Sequence, residues 1–164
     1  MPISEDMKAL AVLAALALPA LPLSAQETVA SEHPVELSVV ERWRADPTLV
    51  FEASEVTLSD LLFVARPVIV FADSPFDPRF AEQVEMLAAR AEDLAARDVI
   101  VIVDSDLDSG SDARERLRPR GFGLVVIGKD GRVAQRKPAP FSVREIGRAI
   151  DKLPLRQQEL RDGR

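Results

Sequence analysis

Two short runs constrain this chain more than anything else in it. Pro67-Val68-Ile69-Val70-Phe71 and Val99-Ile100-Val101-Ile102-Val103 are uninterrupted apolar stretches rich in β-branched residues. Neither alternates with polar residues, so each predicts a strand buried on both faces, the pattern of a parallel strand with helices on either side. What lies between them agrees. Phe80, Val84, Leu87, Ala88, Ala91, Leu94 and Ala95 recur at spacings of three and four, with Glu82, Glu85, Arg90, Glu92 and Asp93 on the other faces. That is one amphipathic helix, expected to run to about Arg97. Ahead of it, Asp73-Ser74-Pro75-Phe76-Asp77-Pro78 supplies two candidate N-caps, each followed by proline.

The flanking sequence extends the pattern. Thr48 to Phe51 is a strand candidate, and Thr57 to Phe63 a helical turn capped by Thr57 or Ser59. Ala113 to Leu117 reads as a short helix, Leu124 to Ile127 as a further strand, and Lys129-Asp130-Gly131-Arg132 as a hairpin turn into Val133 to Lys137. Val143, Ile146, Ile150 and Leu153 mark a closing helix. The order predicts one α/β domain over residues 48–160, a central mixed sheet of about four to five strands flanked by helices, with residues 161–164 as a tail. A hydrophobic share of 47% beside 29% charged residues suits a globular core of that size.

The first residues carry a different signal. Ala9 to Leu18 is apolar throughout, follows Lys8, and leads through Pro19 and Pro22 to Leu23-Ser24-Ala25. This predicts a signal peptide over residues 1–25, cleaved after Ala25, and an exported, periplasmic or secreted product. The run is shorter than the roughly 20 residues a membrane span needs, so no stable insertion is expected after cleavage. Residues 26–47, polar and broken at His33-Pro34, read as a linker with one weak helical turn near Val39, Val40 and Trp43.

At this point the residues become familiar. Val56-Thr57-Leu58-Ser59-Asp60-Leu61 ahead of the first apolar run is similar to the approach to the first core strand of peroxiredoxins. Gly121 to Val133 resembles the third strand and hairpin of thioredoxins. Arg136-Lys137-Pro138, Ile150 to Arg156 and Glu159 resemble the C-terminal signature of DUF4174, a bacterial domain-of-unknown-function family with relatives in vertebrate sushi-repeat-type extracellular matrix proteins. The resemblance covers Val56 to Glu159 and implies a thioredoxin-like fold.

The departures bear on function. Where a thioredoxin carries Cys-x-x-Cys at a helix N-terminus, this chain reads Ser74-Pro75-Phe76-Asp77, and it has no cysteine anywhere. Gly123 stands where the resemblance places the cis-proline facing that motif. Thiol–disulfide and peroxiredoxin chemistry are therefore excluded for this chain. A degenerate groove kept for binding would be lined by Ser74, Asp77, Arg79, Arg120 and Gly123; plain helix capping is the alternative for Ser74 and Asp77.

Two other features invite a reading. Asp104, Asp106, Asp108, Asp112 and Glu115 occupy positions one, three, five, nine and twelve of an EF-hand-like loop, although Ser109 stands where the tight-turn glycine belongs. Calcium binding and an ordinary acidic loop both remain open. Charge is also segregated: residues 1–112 hold 7 basic and 21 acidic side chains, residues 113–164 hold 14 and 6. Arg114, Arg116, Arg118, Arg120, Arg132, Arg136 and Lys137 form a basic set that either meets an acidic partner or is neutralised within the fold. The single histidine, His33, rules out a Ser–His–Asp site, and zinc ligands are lacking. Nucleic acid does not suit a net charge of −6 with few aromatics. No cofactor is expected. The leading expectation is a non-catalytic module that binds another periplasmic protein. The alternatives are a non-thiol enzyme using Ser, Asp or Arg in the same groove, and a calcium-binding structural or adhesion module.

Overall fold

The computed structural model describes residues 36–163. Each apolar run forms a six-residue strand, β2 (Arg66–Phe71) and β3 (Val99–Asp104), buried at every position. They pair in parallel, Val68 opposite Val101 and Phe71 opposite Asp104. β1 (Val50–Glu52) lies parallel on the outer side of β3. β4 (Gly123–Ile127) runs antiparallel to β2, and β5 (Val133–Lys137) antiparallel to β4. The sheet order is therefore β1-β3-β2-β4-β5. With helices between the parallel strands and a terminal hairpin, this is the α/β thioredoxin-like arrangement expected from the sequence.

Successive side chains of a strand point to opposite faces, so the sheet divides the core in two. Ile69, Phe71, Ile100, Ile102, Val125 and Ile127 pack on one face with Trp43, Phe51 and Leu61. Val68, Val70, Val99, Val101, Leu124 and Val126 pack on the other with Leu87, Leu94, Ile146 and Ile150.

Four details differ from the sequence reading. The single helix expected to reach Arg97 is two, α2 (Pro78–Ala88) and α3 (Ala91–Ala95), separated where Arg90 leaves helical geometry at φ −137°, ψ 38°. A straight helix over that span would run about 27 Å, past a six-residue strand of about 20 Å. The break lets Leu87 and Leu94 both reach the sheet.

Part of the expected linker is ordered too. α1 (Val39–Ala45) starts from a capping box in which Ser38 and Glu41 satisfy each other's backbone N–H groups. Trp43 is 7% exposed, packs in the core, and donates its indole N–H to the Val99 carbonyl at 3.1 Å. The 3₁₀ turn Leu58–Leu61 receives no side-chain cap from Thr57 or Ser59; Asp112 accepts the Leu58 N–H at 2.8 Å instead. Finally, α4 (Asp112–Leu117) and α5 (Val143–Ile150) form as expected, but Pro154 opens a separate α6 (Pro154–Arg161). The signal-peptide reading and residues 26–35 of the expected linker lie outside the described residues.

Candidate functional site

Open α/β sheets bind ligands beyond the carboxyl ends of their parallel strands. Here β2 and β3 end side by side at Phe71 and Asp104, and β4 begins opposite Phe71 at Gly123. Three segments meet at that end: the loop 73–77 into α2, the loop 105–111 into α4, and residues 118–122 into β4.

The first loop is organised by caps. Asp77 is the N-cap of α2, with Pro78 in the first turn, and accepts the Arg79 backbone N–H at 2.9 Å. Its carboxylate also takes the Arg79 guanidinium through Nε at 3.0 Å and Nη2 at 2.7 Å. Those bonds from Arg79 hold the Asp77 carboxyl below its ordinary pKa, and Asp77 in turn raises Arg79. The Ser74 hydroxyl accepts the Phe76 N–H at 3.2 Å. Among the described residues no carboxylate hydrogen-bonds that hydroxyl. Capping thus occupies Ser74 and Asp77, and the carboxylate sits where an anion would have to bind. The loop's exposed feature is Phe76, at 91%.

The second loop hides a buried ion pair. Asp104 is 3% exposed and accepts the Ser111 hydroxyl at 2.6 Å and Arg114 Nη2 and Nε at 2.6 and 3.0 Å. Arg114 Nη2 reaches the Ala72 carbonyl at 3.0 Å, and its guanidinium lies 5.6 Å from the Phe71 ring centroid. This joins the ends of β2 and β3 and draws the first of the acidic set away from the others. Asp104 is spent on Arg114, Asp106 accepts the Asp108 N–H at 2.9 Å, and Asp112 holds Leu58 and Arg116. Glu115 is exposed on α4. Among the described residues no three such ligands gather for a metal. An EF-hand needs its oxygens turned inward by the loop glycine; Gly110 comes one residue late, and the strand pulls Asp104 into the core.

The third segment lines a shallow cavity of about 200 Å³. Its walls include Phe71, Phe122 and Gly123, with Arg118, Arg120, Arg136 and Lys137 around them. Arg79 stacks 5.2 Å from the Phe122 centroid and so ties the α2 loop to this cavity. Of the five groove residues expected from sequence, Arg120 and Gly123 line it directly and Arg79 touches its wall. Ser74 and Asp77 stay in the capping loop. A Cβ on Gly123 would meet only the Lys137 carbonyl at 3.8 Å, so space does not demand glycine there, and no described peptide bond is cis. Sequence reasoning missed Phe76 and Phe122; two phenylalanines flanking a capped loop and a strand start were the available signal. A larger cavity of about 510 Å³, lined by Met86, Ala89 and the start of α5, lies away from this end.

At the opposite end of the sheet sits a charged cluster. Arg66, fully buried at the start of β2, donates to the Arg97 carbonyl and to Glu159 of α6, each at 2.8 Å. Lys129 from the hairpin holds Asp98 at 2.7 Å and Glu159 at 3.0 Å. Burial raises the Glu159 carboxyl, but hydrogen bonds from Lys129 and Arg66, with their charges, outweigh it and hold it at about 2.

The family model described as "Domain of unknown function (DUF4174)" matches residues 57–159. Similar solved structures include a Plasmodium yoelii peroxiredoxin, Prx1a, at 18% identity and TM-score 0.48, covering 66% of this chain and 83% of that one. Chloroplastic thioredoxin z is similar at 20% identity and TM-score 0.44, over 54% and 78% of the two chains. The mitochondrial 2-Cys peroxiredoxin of Plasmodium falciparum follows at 17% and 0.44, over 70% and 90%. The fold assignment rests on the strand order above. A search of curated proteins finds no match.

Proposed function

Because the chain belongs to the DUF4174 family, a domain of unknown function, its role has to come from its own site, and we propose that it is an exported, non-thiol binding module. Its partner is another protein of the same compartment, held at the carboxyl end of β2 and β3. The observation that carries this reading is Phe76. A phenylalanine 91% exposed at the tip of a loop pinned by two side-chain caps is a presented apolar contact, not a core residue. The cavity that Arg79 ties to this loop is shallow, and the loop's own polar side chains, Ser74 and Asp77, are already engaged as caps, which supports binding over catalysis. No thiol is available, and Ser74 has no base beside it among the described residues. The apolar segment Ala9–Leu18 and the Leu23-Ser24-Ala25 sequence support export.

A photo-crosslinking amino acid placed at position 76, in cells, tests the site. Discrete adducts are expected there and not at Phe63, which is also exposed, at 72%, but lies at the hairpin end. Equal labelling from both positions would remove the argument. Export is tested by fractionation: a shortened, soluble product is expected, and a full-length membrane-bound one contradicts it.

A further inference from the structure

The eight basic residues from Arg114 to Lys137 fall into two populations. Arg114 pairs with Asp104, Arg116 with Asp112, Lys129 with Asp98 and Glu159, and Arg132 approaches Asp130. Those cations are neutralised within the fold. Arg118, Arg120, Arg136 and Lys137 are not: none has a carboxylate partner among the described residues, and all four line the same cavity of about 200 Å³, whose lining contains no acidic residue. Arg136 donates only to the Leu117 carbonyl at 3.0 Å, and Lys137 lies 4.6 Å from the Phe141 centroid. Arg118, in the left-handed region at φ 47°, closes α4 and begins the Arg118-Pro119-Arg120 segment.

Four uncompensated cations around one cavity raise its potential and attract negative charge. We propose that this cavity binds an acidic, extended segment of a partner protein, its carboxylates on Arg118, Arg120 and Lys137. The inference rests on the binding-module reading and names its partner's chemistry. Two further observations favour a peptide over a small anion. The lining includes the carbon surfaces of Phe122, Pro119 and Pro138, which suit the methylenes of a glutamate more than a free phosphate. The cavity also adjoins β5, which ends the sheet with β4 as its one neighbour among the described residues. An edge strand offers backbone N–H and C=O groups to an added strand, and Arg136 and Lys137 on that strand would then stand beside the incoming side chains.

The test is fluorescence anisotropy of the whole protein with a labelled peptide of alternating Glu and Val, against the same peptide with Gln for Glu. Binding of the acidic peptide, weakening as salt rises, is expected, with the Gln peptide at least about tenfold weaker. Arg118→Gln with Arg120→Gln, both exposed and unpaired, should weaken binding about tenfold without moving the thermal midpoint. Arg144→Gln with Arg148→Gln, basic residues elsewhere, should change nothing. Equal affinity for both peptides overturns the proposal. So does saturation by inorganic phosphate without peptide binding, or capture by phosphatidylglycerol vesicles in place of the peptide. Crosslinks from position 76 that survive the Arg118/Arg120 variant overturn this inference while leaving the binding-module reading intact.

Discussion

Replacing Glu159 by Gln keeps the shape of the side chain and removes its charge from beneath Arg66 and Lys129. The Arg66 side chain is 0% exposed, Lys129 14% and Glu159 17%, so solvent does little to replace what is lost. The Glu159 carboxyl is held at about 2 against an ordinary 4.5. At about 1.4 kcal/mol per pK unit, that difference corresponds to roughly 3 kcal/mol of native-state stabilisation at neutral pH. The same figure is at the low end of what breaking a buried pair costs when one charge stays behind, about 3–5 kcal/mol. Because the folded-state pKa is depressed, the contribution is complete above about pH 4.5 and fades as pH falls toward 2. Urea unfolding followed by Trp43 fluorescence should therefore show Glu159→Gln less stable than the parent by roughly 3 kcal/mol at pH 7, with most of that gap gone at about pH 2.5. A gap under about 1 kcal/mol at pH 7, or one that persists unchanged into acid, would refute the reasoning.

The other expectations concern separate parts of the fold. Trp43→Ala should cost about 3–5 kcal/mol in the same assay, because a buried ring and its bond to the Val99 carbonyl are lost; a cost near zero would return residues 39–45 to linker status. Asp104→Asn removes the close charge partner of Arg114, 12% exposed, leaving only Asp73 at 3.9 Å, and should destabilise by about 2–4 kcal/mol, read by thermal denaturation. Gly131→Ala should cost about 1–2 kcal/mol, since φ is +77° there and the new Cβ would lie 2.7 Å from Leu62 Cδ2; Gly110→Ala, at φ +57° but with open space around it, separates the backbone part of that cost. Calorimetric titration with calcium to about 1 mM should give no heat, the acidic loop's carboxylates being committed elsewhere.

The layering of this protein is written locally. A run such as Val99 to Val103 has no polar face to show to water, so it forms a strand covered on both sides wherever it sits. The caps are equally local: Asp77 and Ser111 each accept an N–H two or three residues ahead. What the sequence could not assign is which charges find each other. Arg114 and Arg118 lie four residues apart, yet one is paired with a buried aspartate and the other has no carboxylate partner among the described residues. Arg66 meets Glu159 across 93 residues, and Leu58 is capped by Asp112 across 54. The break at Arg90 answers to strand length, which no helical periodicity contains.

The sequence by itself therefore determined the order of elements, the two-faced burial of the central strands, and the absence of thiol chemistry, because each depends on residue type and near neighbours. Only the tertiary structure decided that the acidic loop's carboxylates are dispersed onto separate partners, that Trp43 belongs to the core, and that four of the basic residues line one cavity. Those outcomes depend on distances between segments far apart in the chain. Electrostatic pairing falls off with distance in space, not along the sequence.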